Sequence, residues 1–352
     1  MRARAFPGHG PEVEARYQRA GQWLRAALFG NERAKEWCAT KGIALTKAAS
    51  EGIGSSGGFV VPPDLANAIL DLRERYGAFR RRARIVPMAS DNTHVPRRTG
   101  GTAAFFTGEN TAATESSVNV DQIELTAKKI GTLIRLSSEL EEDAVTDAVD
   151  FIANEIAFAF AAKEDDCAFN GDGTSTYGGM RGVGTIVLDG SHSVAKVTAA
   201  TGHNTFLTLD ATDLANLVAQ VQAAAIPNAA WFCSQTCLAQ TLYRLAGAAG
   251  TPVNMATIDG IPTPIYQGFP VVLTQKLPLI STTLTGKTML AFGDMYQAGV
   301  LGQRRGITLA RSADRYLDQD QIAVLGTERF DAVVHDLGDN TNPGALAALV
   351  AP

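Results

Sequence analysis

The chain has 352 residues, 45% of them hydrophobic and 19% charged, with a net charge of −5. A chain of this size buries roughly three-quarters of its unfolded surface, so it needs no disulfide or metal staple, and its length fits two domains or one elaborate one. The acidic balance excludes a protein that grips nucleic acid through a basic excess. No window approaches the ~20 apolar residues of a membrane helix, and the N-terminus lacks the apolar centre of a secretory signal, so synthesis in a cytoplasm is expected.

Residues 1–47 read as a separate helical segment. Pro11 stands at a helix start, and Val13, Tyr17, Leu24, Ala27 and Leu28 fall near helical spacing. Trp23 and Trp37, two of the three tryptophans in the chain, suggest that this piece docks onto something. Residues 48–92 change character. Gly52, Gly54, Ser55, Ser56, Gly57 and Gly58 form a flexible arm. It ends in the apolar anchor Phe59-Val60-Val61-Pro62-Pro63, and a helix is predicted from Asp64 to about Tyr76.

A basic cluster follows: Arg73, Arg75, Arg80, Arg81, Arg82 and Arg84. It either faces phosphate or pairs with acidic surface on the same or a neighbouring chain. The acidic residues Glu139, Glu141, Glu142 and Asp143, together with the negative net charge, favour ion pairing.

Residues 93–136 read as a long two-stranded excursion. The outgoing side carries His94, Val95, Pro96, Arg97 and Arg98. The middle is rich in Gly, Thr, Ala and Ser around Phe105, Phe106 and Glu109. The return side alternates through Ile123, Leu125 and Ala127, then through Ile130, Thr132, Ile134 and Leu136. The phase switch at Lys128-Lys129 predicts a β-bulge. A lone ribbon is marginal in water, so it is expected to lie on a neighbour. An active-site lid is the competing reading of a long loop, but no site for it to cover is found.

Residues 137–184 read as a long helix and a glycine corner. Ser138 with Glu141 fits a capping box. Leu140, Ala144, Ala148, Ile152, Ile156, Ala159 and Lys163 make one stripe. Roughly thirty residues give about 45 Å. Phe169-Asn170-Gly171 is the expected stop, and the loop to Ser175 reads as a corner in which glycine takes positive φ and Asp caps the turn. A phosphate cradle would have to precede a helix rather than follow one.

Residues 185–315 look mixed α/β. A helix starts at Asp210-Ala211-Thr212-Asp213, Trp231-Phe232 marks a buried strand, and Gly268 to Leu273 is a turn feeding a core strand. Residues 316–352 read as a return strand, Gln321 to Val334, followed by a polar and then Ala/Leu-rich tail.

No catalytic, cofactor-binding or metal residue is nominated. The five histidines show no metal or protease spacing, and there is no nucleophile elbow. Cys233 and Cys237 could share a helix face and begin a zinc site, but no second Cys or His pair lies close by. All four cysteines read as small buried thiols.

Five pieces, in order, resemble the major capsid proteins of tailed bacteriophages, of the Hong Kong 97 type. They are Gly57-Gly58-Phe59-Val60-Val61-Pro62 after a flexible arm; the hairpin with Thr107-Gly108-Glu109; the long helix ending in Phe169-Asn170-Gly171-Asp172-Gly173-Thr174 with Gly182-Val183; Gly268-Phe269-Pro270-Val271-Val272; and Phe292-Gly293-Asp294 with Arg329-Phe330-Asp331. The resemblance implies an α+β fold with a spine helix, peripheral and axial domains, an extended hairpin loop and an N-terminal arm. On this basis residues 1–47 are a short scaffold or propeptide segment, expected to be retained. Arm and first helix occupy 48–92, the hairpin 93–136, spine helix and corner 137–184, the axial domain 185–315, and return strand and tail 316–352.

The implied function is a non-enzymatic shell subunit, made in a host cytoplasm. It assembles into pentamers and hexamers of an icosahedral virion around double-stranded DNA. Partners would be further copies, DNA by weak contact, a portal, and decoration or scaffold proteins; no cofactor is implied. Arg97, Arg98, Phe105, Phe106, Glu109, Phe59, Arg80, Arg81, Arg82, Glu139, Glu141 and Glu142 are the expected inter-subunit contacts. No lysine stands between Lys47 and Lys128, so the isopeptide cross-link of some relatives is not expected. The alternatives are the shell of an encapsulin-like nanocompartment and a mixed α/β enzyme.

Overall fold

Two sheets and one long helix organise the chain. The structure is a computed structural model that describes residues 19, 22–23, 26, 32–43, 47–48, 58–59, 77–100, 106, 115, 119–137, 147–250, 253–258, 261–279, 284–319 and 321–352. The predicted helix 64–76 lies outside them.

Helix α1 (Glu32–Thr40) precedes short strands β1 (Lys47–Ala48) and β2 (Gly58–Phe59). Helix α2 (Ala78–Arg82) and β3 (Arg84–Pro87) follow. Then come β4 (Asn92–Gly100), β5 (Asn119–Thr126) and β6 (Lys128–Ser137). The long helix α3 (Asp147–Asn170) spans 24 residues, about 36 Å. Beyond it lie α4 (Val183–Val187), β7 (Lys196–Thr198), α5 (Ala211–Ala219) and β8 (Ala230–Cys233). Helices α6 (Gln235–Cys237) and α7 (Tyr243–Ala248) flank a π-helical turn. Strands β9 (Asn254–Ile258), β10 (Ile261–Tyr266), β11 (Phe269–Leu273) and β12 (Thr288–Gly293) lead to α8 (Met295–Ala298). The chain continues through β13 (Gly299–Tyr316), β14 (Gln321–Val334) and β15 (Leu346–Val350).

The first sheet runs β1-β2-β13-β14-β6, with β3 also on β13. β6 follows β14 without a register shift, from Ser137 opposite Gln321 to Lys128 opposite Phe330. Phe330, Asp331 and Ala332 are consecutive and all buried, so both faces of β14 are covered there, because successive strand residues point to opposite sides. Helix α3 packs on β14, with Ile156 fully buried, and the β4–β5 hairpin reaches Asp331, whose Oδ2 accepts from Thr126 N at 2.6 Å.

The second sheet runs β7-β15-β12-β8-β11-β10-β9. Every residue of β8, β12 and β15 is buried. Continuous apolar runs such as Leu346-Ala347-Ala348-Leu349-Val350 are what strands covered on both faces require. An aromatic chain ties this sheet to α2 and α3: Phe79 meets Phe169 edge-on at 6.5 Å, Phe169 meets Phe232 at 6.1 Å, and Trp231 meets Phe292 at 4.4 Å. One apolar core therefore serves both sheets. Helix α5 starts where expected, with a reciprocal capping box between Asp210 and Asp213.

Several sequence expectations are corrected. The phase switch at Lys128-Lys129 is not a bulge in one ribbon. It marks where the chain leaves the β4–β5 pair and joins β14, so the side chains re-aim because the pairing partner changes. Ser137 ends strand β6, and Ser138 with Glu141 lies outside the described residues. Residues 346–350 are no tail: they form β15, inserted between β12 and β7. β13 belongs to the long first sheet and not to the mixed unit. In the corner, Gly171 is required by close backbone approach, not by positive φ. A Cβ there would stand 2.5 Å from the Cys167 carbonyl oxygen and 2.7 Å from that of Met180. The rest of the corner is as expected: Gly173 takes positive φ, and Asp172 Oδ1 caps the turn by accepting from Thr174 N at 2.8 Å.

Candidate functional site

The expected contact residues fall into two regions, and the first is built around Arg80. Its guanidinium is fully enclosed and grips Glu164 with two bonds, Nε to Oε2 at 3.0 Å and Nη2 to Oε1 at 2.8 Å. Glu328 of β14 stands 3.9 Å away, and Gln303 of β13 reaches both groups, accepting from Arg80 at 3.5 Å and donating to Glu328 at 3.3 Å. The next residue on α3, Asp165, accepts from the N–H groups of Ala78 and Phe79 at 2.9 Å each, satisfying the free donors that begin α2. Burial pushes the Asp165 carboxyl up to about 6, and these two N–H groups only partly oppose the shift. Helix α2, helix α3 and the long sheet are thus cross-braced at one buried polar point.

The second region is the root of the hairpin. Val95, Ile123 and Leu125 bury against Met88 and Val300. Gly302 makes room for them, since a Cβ there would meet Met88 Sδ at 2.7 Å and Leu125 at 3.1 Å. Arg97 holds Asp121 across the hairpin at 2.9 Å and donates to the His335 carbonyl at 2.8 Å. Its hydrogen bond lowers the Asp121 pKa. Asp91 receives Arg329 at 3.0 Å and Arg304 at 3.5 Å. Burial, aided by Arg97 and Arg84, pushes the His335 imidazole down to about 4. Burial raises Asp331 against the opposing bond from Thr126. Beyond this root Phe106 is fully exposed, and Glu115 is exposed too.

Arg80, expected at an interface, is buried and bonded to Glu164 within its own chain. Arg97 fastens the hairpin to its own sheet, so the root of the ribbon does have a home on its own molecule. The backbone of Phe59 likewise pairs with Leu309 of β13. Arg81 and Arg82 are half-buried beside a cleft under α2. Arg98 is described only as backbone of β4, and Phe105, Glu109, Glu139, Glu141 and Glu142 lie outside the described residues.

Sequence reasoning passed over Glu164, Asp165 and Glu328, and took Asp331 only as part of a family motif. The first two left a signal, as adjacent carboxylates in an apolar stretch of helix must meet a cation or free N–H groups when buried. His203, Asp210 and Asp213 also come together, but Asp213 is taken up by Ala200 N at 3.0 Å, Asp210 N at 3.2 Å and His203 Nδ1 at 2.6 Å. This is a turn lock at the start of α5. Burial works to raise the Asp213 pKa, but the Ala200 N–H and His203 outweigh it and the net shift is downward. All four cysteines are buried free thiols.

Comparison with known proteins matches this geometry. The phage capsid family covers residues 57–337. Among solved structures, the capsid of an empty GTA particle, computed with C5 symmetry, superposes with a TM-score of 0.58 at 19% identity, covering 90% of this chain and 98% of the other. The structure from Mycobacterium phage Bobi gives 0.55 at 16% identity, covering 90% and 98%. The holo-SrpI encapsulin complex from Synechococcus elongatus PCC 7942 gives 0.51 at 14% identity, covering 88% and 93%. The fold is therefore the Hong Kong 97 type, a long helix laid on an extended sheet beside a mixed unit.

The chain belongs to the phage capsid family. A major capsid protein of Klebsiella oxytoca phage phiKO2 is 31% identical over 120 residues, 34% of this chain. The match spans 28% of that relative's length.

Proposed function

We propose that this chain is the major shell subunit of a phage head, assembling into pentamers and hexamers that enclose double-stranded DNA. The family match from 57 to 337 carries the reading, since it takes in the hairpin, the long helix and most of both sheets. The geometry supports it: the hairpin is rigidly rooted, yet presents a bare Phe106. Burying one phenylalanine on a neighbour contributes roughly 1.5–3 kcal/mol. Such modest contacts become decisive when each subunit is held on several sides. With a net charge of −5, packaged DNA is met by weak, non-specific contact. Portal, decoration or scaffold proteins complete the partners, and the subunit resides in the virion.

Negative-stain microscopy of the purified protein tests the reading, with hollow shells or capsomers expected. Single globules at every concentration, also after co-expression with the other head proteins, would overturn it. A nanocompartment shell is the second reading, favoured by the superposition on the SrpI complex. Nuclease-resistant DNA inside purified particles distinguishes the two.

A further inference from the structure

The mixed sheet ends in two open edges, β7 on one side and β9 on the other. On β7, Ala195 O accepts from Ala348 N at 2.8 Å, and Ala199 N donates to Val350 O at 3.0 Å. Backbone groups alternate sides along a strand, so those of Lys196 and Thr198 point away from β15. Lys196 N is taken by His192 O at 3.2 Å. The Lys196 carbonyl and both Thr198 groups face outward. Beside them lies a groove of about 450 Å³, lined by Lys196 and Thr198 of β7 and by Asn216 and Ala219 of α5.

The other edge is a hairpin that stands off the sheet. Tyr266 and Phe269 close a two-residue turn at Gln267-Gly268, both with positive φ, so the backbone groups of Tyr266 face β11. By alternation Pro262 and Pro264 face the same way, and neither has an N–H to give. β10 therefore parts from β11 after two residue pairs and carries β9 out with it. On β9, Asn254, Ala256 and Ile258 face β10, which leaves the backbone groups of Met255 and Thr257 open. Edge strands are ordinarily guarded by charge, proline, a bulge or shortness. β10 has its prolines, and β7 is short and carries Lys196. β9 has five residues, no charge and no proline, and its Met255 is 60% exposed.

We propose that β9 of one copy pairs with β7 of a second copy, with Met255 set against the groove beside α5, so that the mixed sheet runs on from subunit to subunit. The inference rests on the shell-subunit reading and gives it a specific joint. Both halves of the joint are on this chain, yet they cannot meet within one molecule. Six strand-to-strand steps separate them, about 29 Å at about 4.8 Å each. Their directions also agree. β9 runs parallel to β11, β11 to β8, β8 to β15 and β15 to β7. A copy turned about an axis along the strands thus presents β9 to β7 as a parallel pair. The contact joins two different surfaces, so its repetition can close into a ring, as a pentamer or hexamer requires. Pairing of β9 with another β9 would stop at two copies.

The test uses the full chain carrying Thr198→Cys and Met255→Cys, both at exposed positions. Assembled particles are treated with a short bis-maleimide, whose span tolerates a one-residue change of register, about 3.3 Å. The native cysteines are all buried. Expected is a ladder of linked subunits extending beyond the dimer on a denaturing gel, absent from either single variant. Intact particles giving only the single-subunit band overturn the joint and leave the shell reading standing. Linking of Met255→Cys alone into pairs does the same, since it marks a β9–β9 contact. Failure of the unsubstituted chain to form particles at all overturns the shell reading. If the cysteine variant does not assemble, Thr257→Lys decides, because it charges the open edge and leaves the β9–β10 ladder intact. It should lower particle yield at least tenfold while subunit melting stays within about 1 °C of the parent. Normal yield, or a loss of yield explained by lowered melting, overturns the proposal.

Discussion

Replacing Arg80 with methionine removes the cation from the buried brace while keeping much of its apolar stem. Glu164 and Glu328, both fully buried, lose the guanidinium that stands 2.8 Å and 3.9 Å from their oxygens. Taking one partner from a buried ion pair costs about 3–5 kcal/mol. The unfolding entropy of a chain of this length is about 0.7 kcal/mol/K, so a loss near 4 kcal/mol lowers Tm by about 5–6 °C. Calorimetry of unassembled subunits reads this as a shift of the first transition, because a chain this long need not unfold in one step. Adding Glu164→Gln to Arg80→Met should recover at least half of the loss, since one buried charge is then gone and Gln303 still donates to Glu328. Arg81→Met, at the half-buried neighbour, should stay within about 1 °C. An Arg80→Met subunit that melts within about 1 °C of the parent would refute the claim that this pair braces the two helices against the sheet.

Four further outcomes are expected. The raised pKa of Asp165 means that the folded state holds a proton the unfolded chain has released between about pH 6 and pH 4, so this group adds stability as pH falls through that window. The melting deficit of Asp165→Asn should therefore widen on acidification, and a constant deficit would refute the shift. His335 acts with the opposite sign. Its folded pKa is near 4 and its unfolded value near 6.5, so stability is lost as pH falls between them; His335→Gln should blunt the acid sensitivity seen in melting scans. In Gly182→Ala the new Cβ would stand 2.7 Å from the Phe169 carbonyl carbon, and soluble yield or Tm should fall by an amount equivalent to about 1–3 kcal/mol. Phe106→Ser should leave subunit melting within about 1 °C of the parent yet cut particle yield, because the ring is fully exposed on the subunit.

Much of the mixed unit was legible. Trp231-Phe232 announced a buried strand, and Asp210 to Asp213 announced a helix start, because both signals are local. What failed was pairing across long separations. The arginine run looked like one surface cluster, but the mate of Arg80 lies 84 residues away on α3, and no local pattern says which arginine turns inward. The alternation around Lys128 showed that the strand changes face; it could not show that the partner changes from β4 to β14. The stretch from Leu346 to Val350 carried a readable signal that was missed, since five apolar residues in a row fit a covered strand better than a solvated end. The contact residues remain the least legible part, because Arg97 and Phe106 have similar polar surroundings in sequence and differ only in what lies beneath them.

The placing of β15 between β7 and β12 bears on timing. Thr198 and Val350 are partners, yet 152 positions separate them. At about 5–20 residues per second, a ribosome needs roughly 8–30 s to travel that distance. Throughout that interval β7 lacks its partner and the mixed sheet stays open, and β12, once made, keeps a bare edge until β15 follows. A nascent chain still in synthesis therefore cannot offer a finished subunit to its neighbours, and shell building is deferred until translation has moved past the strand that closes the sheet.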